Sequence, residues 1–264
     1  MTQQGWQGGD WQEVTGNAVL LPANPRGIVH FLGGAFVAAA PQVTYKYLLE
    51  SLARKRYAII ATPFINSGLD HAAIARSALH SFETTLDRLR VTGQLKKRYL
   101  PIYGVGHSLG CKIHLLIGSL FSIERSGNVF MAYNNYPARR SIPFVEQLSN
   151  LTELEFTPTP HQTHDLIDRH YCVRRNLLVK FKNDDIDQTL ALRSILQKRF
   201  PSMVTLQTLD GTHTTPIAQD LNWQVGETFS PLDALGQWVK QNWYRDFHRL
   251  TQELTRWLDP TVAV

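Results

Sequence analysis

Apolar residues along this chain follow two rhythms. Short stretches such as "GIVHFLGG", "YAIIATPF", "LPIYGVGH", "NVFMAYNN" and "RNLLVKFK" are apolar at consecutive positions and rich in β-branched residues. That is the pattern of strands buried on both faces. "WQEVTGNAVLLP" reads as an opening strand or hairpin, and "MVTLQTL" as the last strand. Longer stretches between them repeat their apolar residues every third or fourth position. "TYKYLLESLARKR" puts Tyr45, Leu48, Leu49 and Leu52 on one helical face. "DHAAIARSALHSFETTLDRLRV" does the same with Ala75, Leu79, Phe82, Leu86 and Leu89, and Asp70 is placed to cap its start. "CKIHLLIGSLF" and "DQTLALRSILQKRF" predict two further helices. The final stretch carries Leu232, Leu235, Val239, Trp243, Phe247, Leu250, Leu254 and Trp257 at helical spacing.

Strands apolar on both faces that alternate with amphipathic helices predict an α/β architecture: a mostly parallel central sheet covered on both faces. No internal repeat or low-complexity linker interrupts it, so residues 1–264 read as one domain. One interval breaks the alternation. Residues 136–173 are rich in proline and polar side chains and too long for a bare loop, which predicts a small cap, lid or excursion over one edge.

Composition narrows the class. The formal charge is +5, and the basic clusters "LARKRY", "QLKKRY" and "RRSIP" each fall at the edge of an expected element. None is interleaved with aromatics, so no nucleic-acid partner is expected. The start, "MTQQGWQGGDWQEVTGN", lacks the basic end and apolar run of a secretory signal, and no stretch has the ~18 continuous apolar residues of a membrane span. Cys111 and Cys172 make no disulfide framework. A cytoplasmic protein without an integral membrane segment is the expectation; oligomeric state is not legible.

The chemistry is concentrated in "YGVGHSLGCKIHLL", where Ser108 stands between Gly106 and Gly110 at the junction of a strand and a helix. In an open parallel sheet ligands gather at the carboxyl ends of strands. A tight turn there needs glycines two positions to either side, lifts the hydroxyl off the backbone and aims a helix N-terminus at its target. The Leu109 N–H is one candidate oxyanion donor; Gly34 or Ala35, in the loop "FLGGAF", would supply the second. A serine nucleophile needs a base and an orienting acid, in the chain order acid then histidine. His213 follows the last strand in "TLDGTH", and Asp184, with Asp185 as the alternative, ends the strand "NLLVKFKNDD". Both aspartates could instead cap the helix beginning near Asp187. Other histidines fit less well: His107 should turn its side chain away from the serine, His30 lies within a strand and His114 within a helix.

Together "GHSLG", "LGGAF", "KNDD" and "GTH" resemble the α/β-hydrolase superfamily over nearly the whole chain. More narrowly, "GHSLGCKIHLL", "NNYPARRSIPF" and "VKFKNDDIDQT" resemble a domain family of cyanobacteria and plant plastids, sometimes labelled esterase-like. The resemblance implies acyl-transfer chemistry on a small-molecule acyl substrate, with Ser108 as nucleophile, His213 as base and Asp184 as orienter, and no cofactor. Acyl transfer to another acceptor, or a catalytically silent binding module, are the alternatives. His161, His164, Asp165, Asp168 and His170 lie close in sequence but match no metal-binding spacing, so a polar cap is expected there rather than a metal. Cys111 reads as a packing residue, and the aromatic stripe of the last helix as a sheet-facing surface.

Overall fold

The computed structural model describes residues 10–35, 37–64, 68–97, 99–141, 155–217 and 231–259; the side chains of 141 and 231–242 are not described. The expected opening hairpin forms from β1 (Gln12–Val14) and β2 (Asn17–Leu20). Thr15 and Gly16 both adopt positive φ in its two-residue turn, the conformation whose twist matches paired strands. The alternation that follows runs β3 (Gly27–Leu32), α1 (Pro41–Thr44), α2 (Lys46–Arg54), β4 (Tyr57–Ala61), α3 (His71–Val91), β5 (Ile102–His107), α4 (Leu109–Leu120) and β6 (Gly127–Met131). After the excursion come β7 (Asn176–Asn183), α7 (Thr189–Arg199), β8 (Val204–Thr212) and α8 (Pro231–Leu258).

The strands form one eight-stranded sheet in the order β1-β2-β4-β3-β5-β6-β7-β8. All neighbours from β4 to β8 are parallel; only the β1–β2 and β2–β4 pairs are antiparallel. The chain builds outward from β3 to β4 in one direction, then returns to add β5 through β8 in the other. Crevices form at such a reversal, beyond the carboxyl ends of the strands.

Both faces are covered. On one, Val29 and Phe31 pack with Leu48, Leu49 and Leu52 of α2 and Leu250, Leu254 and Leu258 of α8. On the other, Ile28 meets Phe82, Leu86 and Leu89 of α3, while Leu32 meets Ile113 and Leu116 of α4. The aromatic stripe of α8 joins this packing through Trp243, Phe247 and Trp257; Leu232, Leu235 and Val239 belong to the stretch whose side chains are not described. No described helix is long and apolar enough to cross a membrane.

Two features depart from the expected elements. The helix foreseen from "TYKYLLESLARKR" starts earlier and is broken: α1 begins at Pro41, and the chain leaves helical geometry at Tyr45 (φ −112°, ψ 22°) before α2. Proline favours a helix start, and the break buries the Tyr45 ring completely. The interval 136–173 holds two helices among its described residues that its proline-rich, polar sequence did not announce. They are α5 (Ala138–Ser141) and α6 (Pro160–His170). The latter starts at a capping box formed by Thr159 and Gln162 and packs Ile167 with Leu115 of α4 and Leu192 and Leu196 of α7.

At the end of β5 the chain turns into α4 within one residue, and Ser108 carries the strain, with φ 53° and ψ −119°. A Cβ on Gly106 would lie 2.7 Å from the backbone of Gly110 and Cys111, and one on Gly110 would strike the Leu32 carbonyl and approach the Gly33 oxygen to 2.7 Å. Every one of these obstacles is backbone, so no rotamer change relieves the clash. Gly110→Ala should therefore lower the unfolding free energy by about 3 kcal/mol or more in urea titration. Gly68→Ala, where a Cβ meets nothing closer than 4.0 Å, should stay within about 0.5 kcal/mol.

Candidate active site

Five loops at the carboxyl edge of the sheet bring their side chains together. Ser108, 8 % exposed, stands at the β5–α4 turn. His213 lies in the turn after β8, where the Thr215 hydroxyl accepts the Thr212 N–H at 2.8 Å. Asp184 follows β7 directly after a register shift between Phe181 and Asn183, the kind of irregularity that re-aims a side chain. His213 Nε2 lies 3.0 Å from Ser108 Oγ, and His213 Nδ1 lies 2.8 Å from Asp184 Oδ2. An ionised carboxylate can only accept, so Nδ1 carries the proton and Nε2 is free to accept the serine hydroxyl.

Asp184 Oδ1 also accepts the Ile186 N–H at 3.1 Å. Burial pushes this carboxyl upward, but the His213 hydrogen bond and charge, the Ile186 N–H and the Lys180 ammonium outweigh it and hold the group below the usual carboxylate range. Asp185 points to solvent. Neither Asp184 nor Asp185 caps α7, whose N-cap is Gln188; Asp187, just before it, accepts from the Thr189 N–H and hydroxyl.

Of the two oxyanion candidates in the loop after β3, Gly34 is already committed: its N–H donates to Tyr45 Oη at 2.8 Å. The Ala35 and Leu109 N–H groups have no hydrogen-bond partner among the described residues, and both residues line the cavity beside Ser108. Phe36 lies outside the described residues.

Three contributors were not foreseen in the sequence. Asn134, in the loop after β6, donates its Nδ2 amide to Ser108 Oγ at 3.3 Å. His107, expected to turn away, instead lies 5.0 Å from the His213 ring, centroid to centroid. Its Nε2 donates to the His213 carbonyl oxygen at 2.8 Å, so its Nδ1 accepts from the Tyr45 hydroxyl, also at 2.8 Å. Burial, with the neighbouring His213, lowers the His107 ring to about 3, which keeps it neutral and in that tautomer. A continuous chain thus runs from the Gly34 N–H through Tyr45 and His107 to the backbone of His213. A histidine at the end of β5 and a tyrosine near the start of the helix predicted after β3 were the signals, and neither spacing is distinctive.

A family model described as "Protein of unknown function (DUF1350)" matches residues 10–260. The chain belongs to the DUF1350 family. No curated protein matches it in sequence. Among solved structures it resembles a soluble variant of monoglyceride lipase from Saccharomyces cerevisiae bound to a substrate analog, with TM-score 0.56 and 12% identity over 97% of this chain and 96% of the other. It is also similar to a fluorophosphonate-binding serine hydrolase of Staphylococcus aureus, with TM-score 0.55 and 14% identity over 86% and 91% of the two chains. A third relative in fold is carboxyl esterase 2 of the mycorrhizal fungus Tuber melanosporum, with TM-score 0.53 and 13% identity over 93% and 90%. The sheet order and these likenesses establish an α/β-hydrolase fold for this DUF1350 chain.

The remaining candidates from the sequence go elsewhere. Cys111 is buried and its Sγ donates to the Met131 carbonyl at 3.3 Å; Cys172 is exposed. His161 pairs with Asp165, Asp168 pairs with Lys198, and His164 meets Tyr133. Among the described residues no group of three such side chains could hold a metal ion. His30 and His114 are core residues, with His30 stacked on Phe82 at 4.2 Å and His114 bonded to the His30 carbonyl.

Ser108 opens into a cavity of about 400 Å³. One turn along α4, Lys112 lines it while only 1% exposed. Its ammonium donates to the Pro158 carbonyl at 3.3 Å and lies 5.4 Å from the Phe156 ring, with no ion pair among the described residues. Burial lowers it to about 8 against the opposing Glu155 carboxylate, whereas an unfolded lysine titrates near 10.4.

Two outcomes follow for this DUF1350 protein. Tyr45→Phe strands the Gly34 N–H and His107 Nδ1 together and should reduce the unfolding free energy by about 1–3 kcal/mol; an unchanged urea midpoint would show that the linkage adds nothing. Lys112→Met should raise the melting temperature near neutral pH, because below about pH 8 lysine is protonated in both states and the fold bears the full burden of a buried charge. That burden fades as the folded amine deprotonates and vanishes above the unfolded value. The thermal advantage of the methionine variant should accordingly narrow from about pH 8 to about pH 10.

Proposed function

We propose that this protein is a serine hydrolase that cleaves an ester or thioester through an acyl-enzyme on Ser108. The observation that carries the reading is the line from Asp184 through His213 to Ser108, at 2.8 and 3.0 Å, ending at the strained residue beside an open cavity. His213 takes the Ser108 proton as Oγ attacks the carbonyl carbon, and Asp184 stabilises the imidazolium that forms. The Leu109 and Ala35 N–H groups receive the oxyanion, a contribution of about 3 kcal/mol for each donor. Asn134 holds Oγ in place before attack. The imidazolium then protonates the departing alcohol or thiol, and water, activated by the same histidine, releases the acid. A capping role for the described residues of the interval 136–173 is supported by Tyr136, Arg140 and Phe156, which line the cavity. Proteins of the same fold named as esterase, lipase and serine hydrolase support chemistry of this class. A pure binding scaffold would have no use for an imidazole held between a carboxylate and a strained serine.

A fluorophosphonate probe should label the wild-type protein and fail to label Ser108→Ala, and p-nitrophenyl esters should be hydrolysed only by the former. Asp184→Asn should lose about three to four orders of magnitude in kcat with its fold intact, because the histidine is left in the wrong tautomer. Labelling that persists in the serine variant would overturn the assignment.

A further inference from the structure

The cavity beside Ser108 has an unusual balance of charge. Lys112 and Arg140 line it beside His71, whose ring is lowered to about 3 by burial and the neighbouring Lys112 and is therefore neutral, and no aspartate or glutamate does among the described residues. Lys112 and His71 are each 1% exposed. His71 stacks on Phe156 at 4.2 Å between centroids, yet neither of its ring nitrogens has a hydrogen-bond partner. Buried polar atoms are normally satisfied, and leaving them so is costly. Lys112 has a single carbonyl partner for three donors. Arg140, exposed, lies over the Tyr136 ring at 4.6 Å.

An unpartnered imidazole and an ammonium with one carbonyl partner, on one wall, describe a site with donors to spare for an acceptor. An alkyl chain filling this space would displace water from the ammonium and the imidazole and give nothing back. An anion would accept from the ammonium and from the one N–H of the neutral imidazole, and charge-assisted hydrogen bonds are the stronger kind. The four-residue step from Ser108 to Lys112 is one helical turn, about 6 Å along the axis. That separation suits a short molecule with a carbonyl at one end and an acid group at the other.

We propose that this cavity selects substrates carrying a second, anionic group, a carboxylate or phosphate, seated on Lys112 and His71 with Arg140 at the entrance. Its description as a substrate site rests on the hydrolase reading above; the anion site itself does not.

Two matched pairs of esters test it. One sets mono-p-nitrophenyl glutarate against the p-nitrophenyl ester of glutaramic acid; the other sets 4-acetoxybenzoate against 4-acetoxybenzamide. They place the acid on the acyl and the leaving side respectively. In at least one pair kcat/KM should favour the acid by about tenfold or more. That ratio should fall towards one in Lys112→Met and in Arg140→Gln, the second an exposed position at which folding is not at stake. Parity in both pairs, or a preference that survives both substitutions, would overturn the proposal. If no ester is hydrolysed, the hydrolase reading fails and calorimetry decides the anion site alone. Glutarate and inorganic phosphate, titrated separately into the wild type, should give saturable heat that Lys112→Met and Arg140→Gln weaken, and which of them binds tells carboxylate from phosphate recognition. No saturation by either up to about 10 mM would overturn it.

Discussion

Backbone pressed against backbone at the Ser108 turn is the constraint on which the rest of the site depends. The first turn of α4 lies so close to the end of β3 that Gly110 faces the Leu32 and Gly33 carbonyls with no room for a methyl group. That approach goes with the positive φ of Ser108 and keeps Leu109 on the wall of the cavity that Ser108 also lines. A more relaxed turn would move the helix start away from β3 and from the loop that follows it. The strand order reinforces this, because the chain reverses at β3 and opens a crevice exactly where nothing crosses over.

Around that turn Asp184, His213, His107 and Tyr45 each hold a neighbour in place through a hydrogen bond. Asp184 is kept ionised by donors on two sides and therefore dictates the His213 tautomer. His107 is kept neutral by burial, and as a neutral ring it can both donate to the His213 carbonyl and accept from Tyr45. Tyr45 in turn accepts the Gly34 N–H. The loop after β3 and the loop after β8, distant in sequence, are thereby tied to one position. His71, with both ring nitrogens unpartnered among the described residues, and Lys112, with a single carbonyl partner, stand apart from this network on the cavity wall.

Much of the architecture was legible because burial on both faces writes itself into consecutive apolar positions. β3, β4, β5 and β6 fall on the runs that predict them, and the α3 cap at Asp70 accepts the Ala73 N–H as its residue type suggests. The Ser108 turn was legible for a local reason, since its glycines are demanded by geometry within a few residues. The break at Tyr45 was not, because the ring is drawn inward by Phe31 and His107, both remote in sequence from helical spacing. The α6 helix was hidden by the polar residues around it, although Ile167 and Thr163 supply the buried side that docks it.

Residue order alone therefore determined the alternating sheet and helices, the strained serine and the two loops in which an acid and a base could stand, for each depends on patterns confined to a few neighbouring positions. Tertiary structure alone put Asp184 rather than Asp185 against His213, committed Gly34 to Tyr45, set His107 against the His213 backbone and brought Asn134 to the hydroxyl. Those outcomes depend on which direction a side chain takes after a bulge or a turn, and on what lies across the sheet when it arrives. No spacing along a chain encodes that, because the partners meet only when the strands have paired.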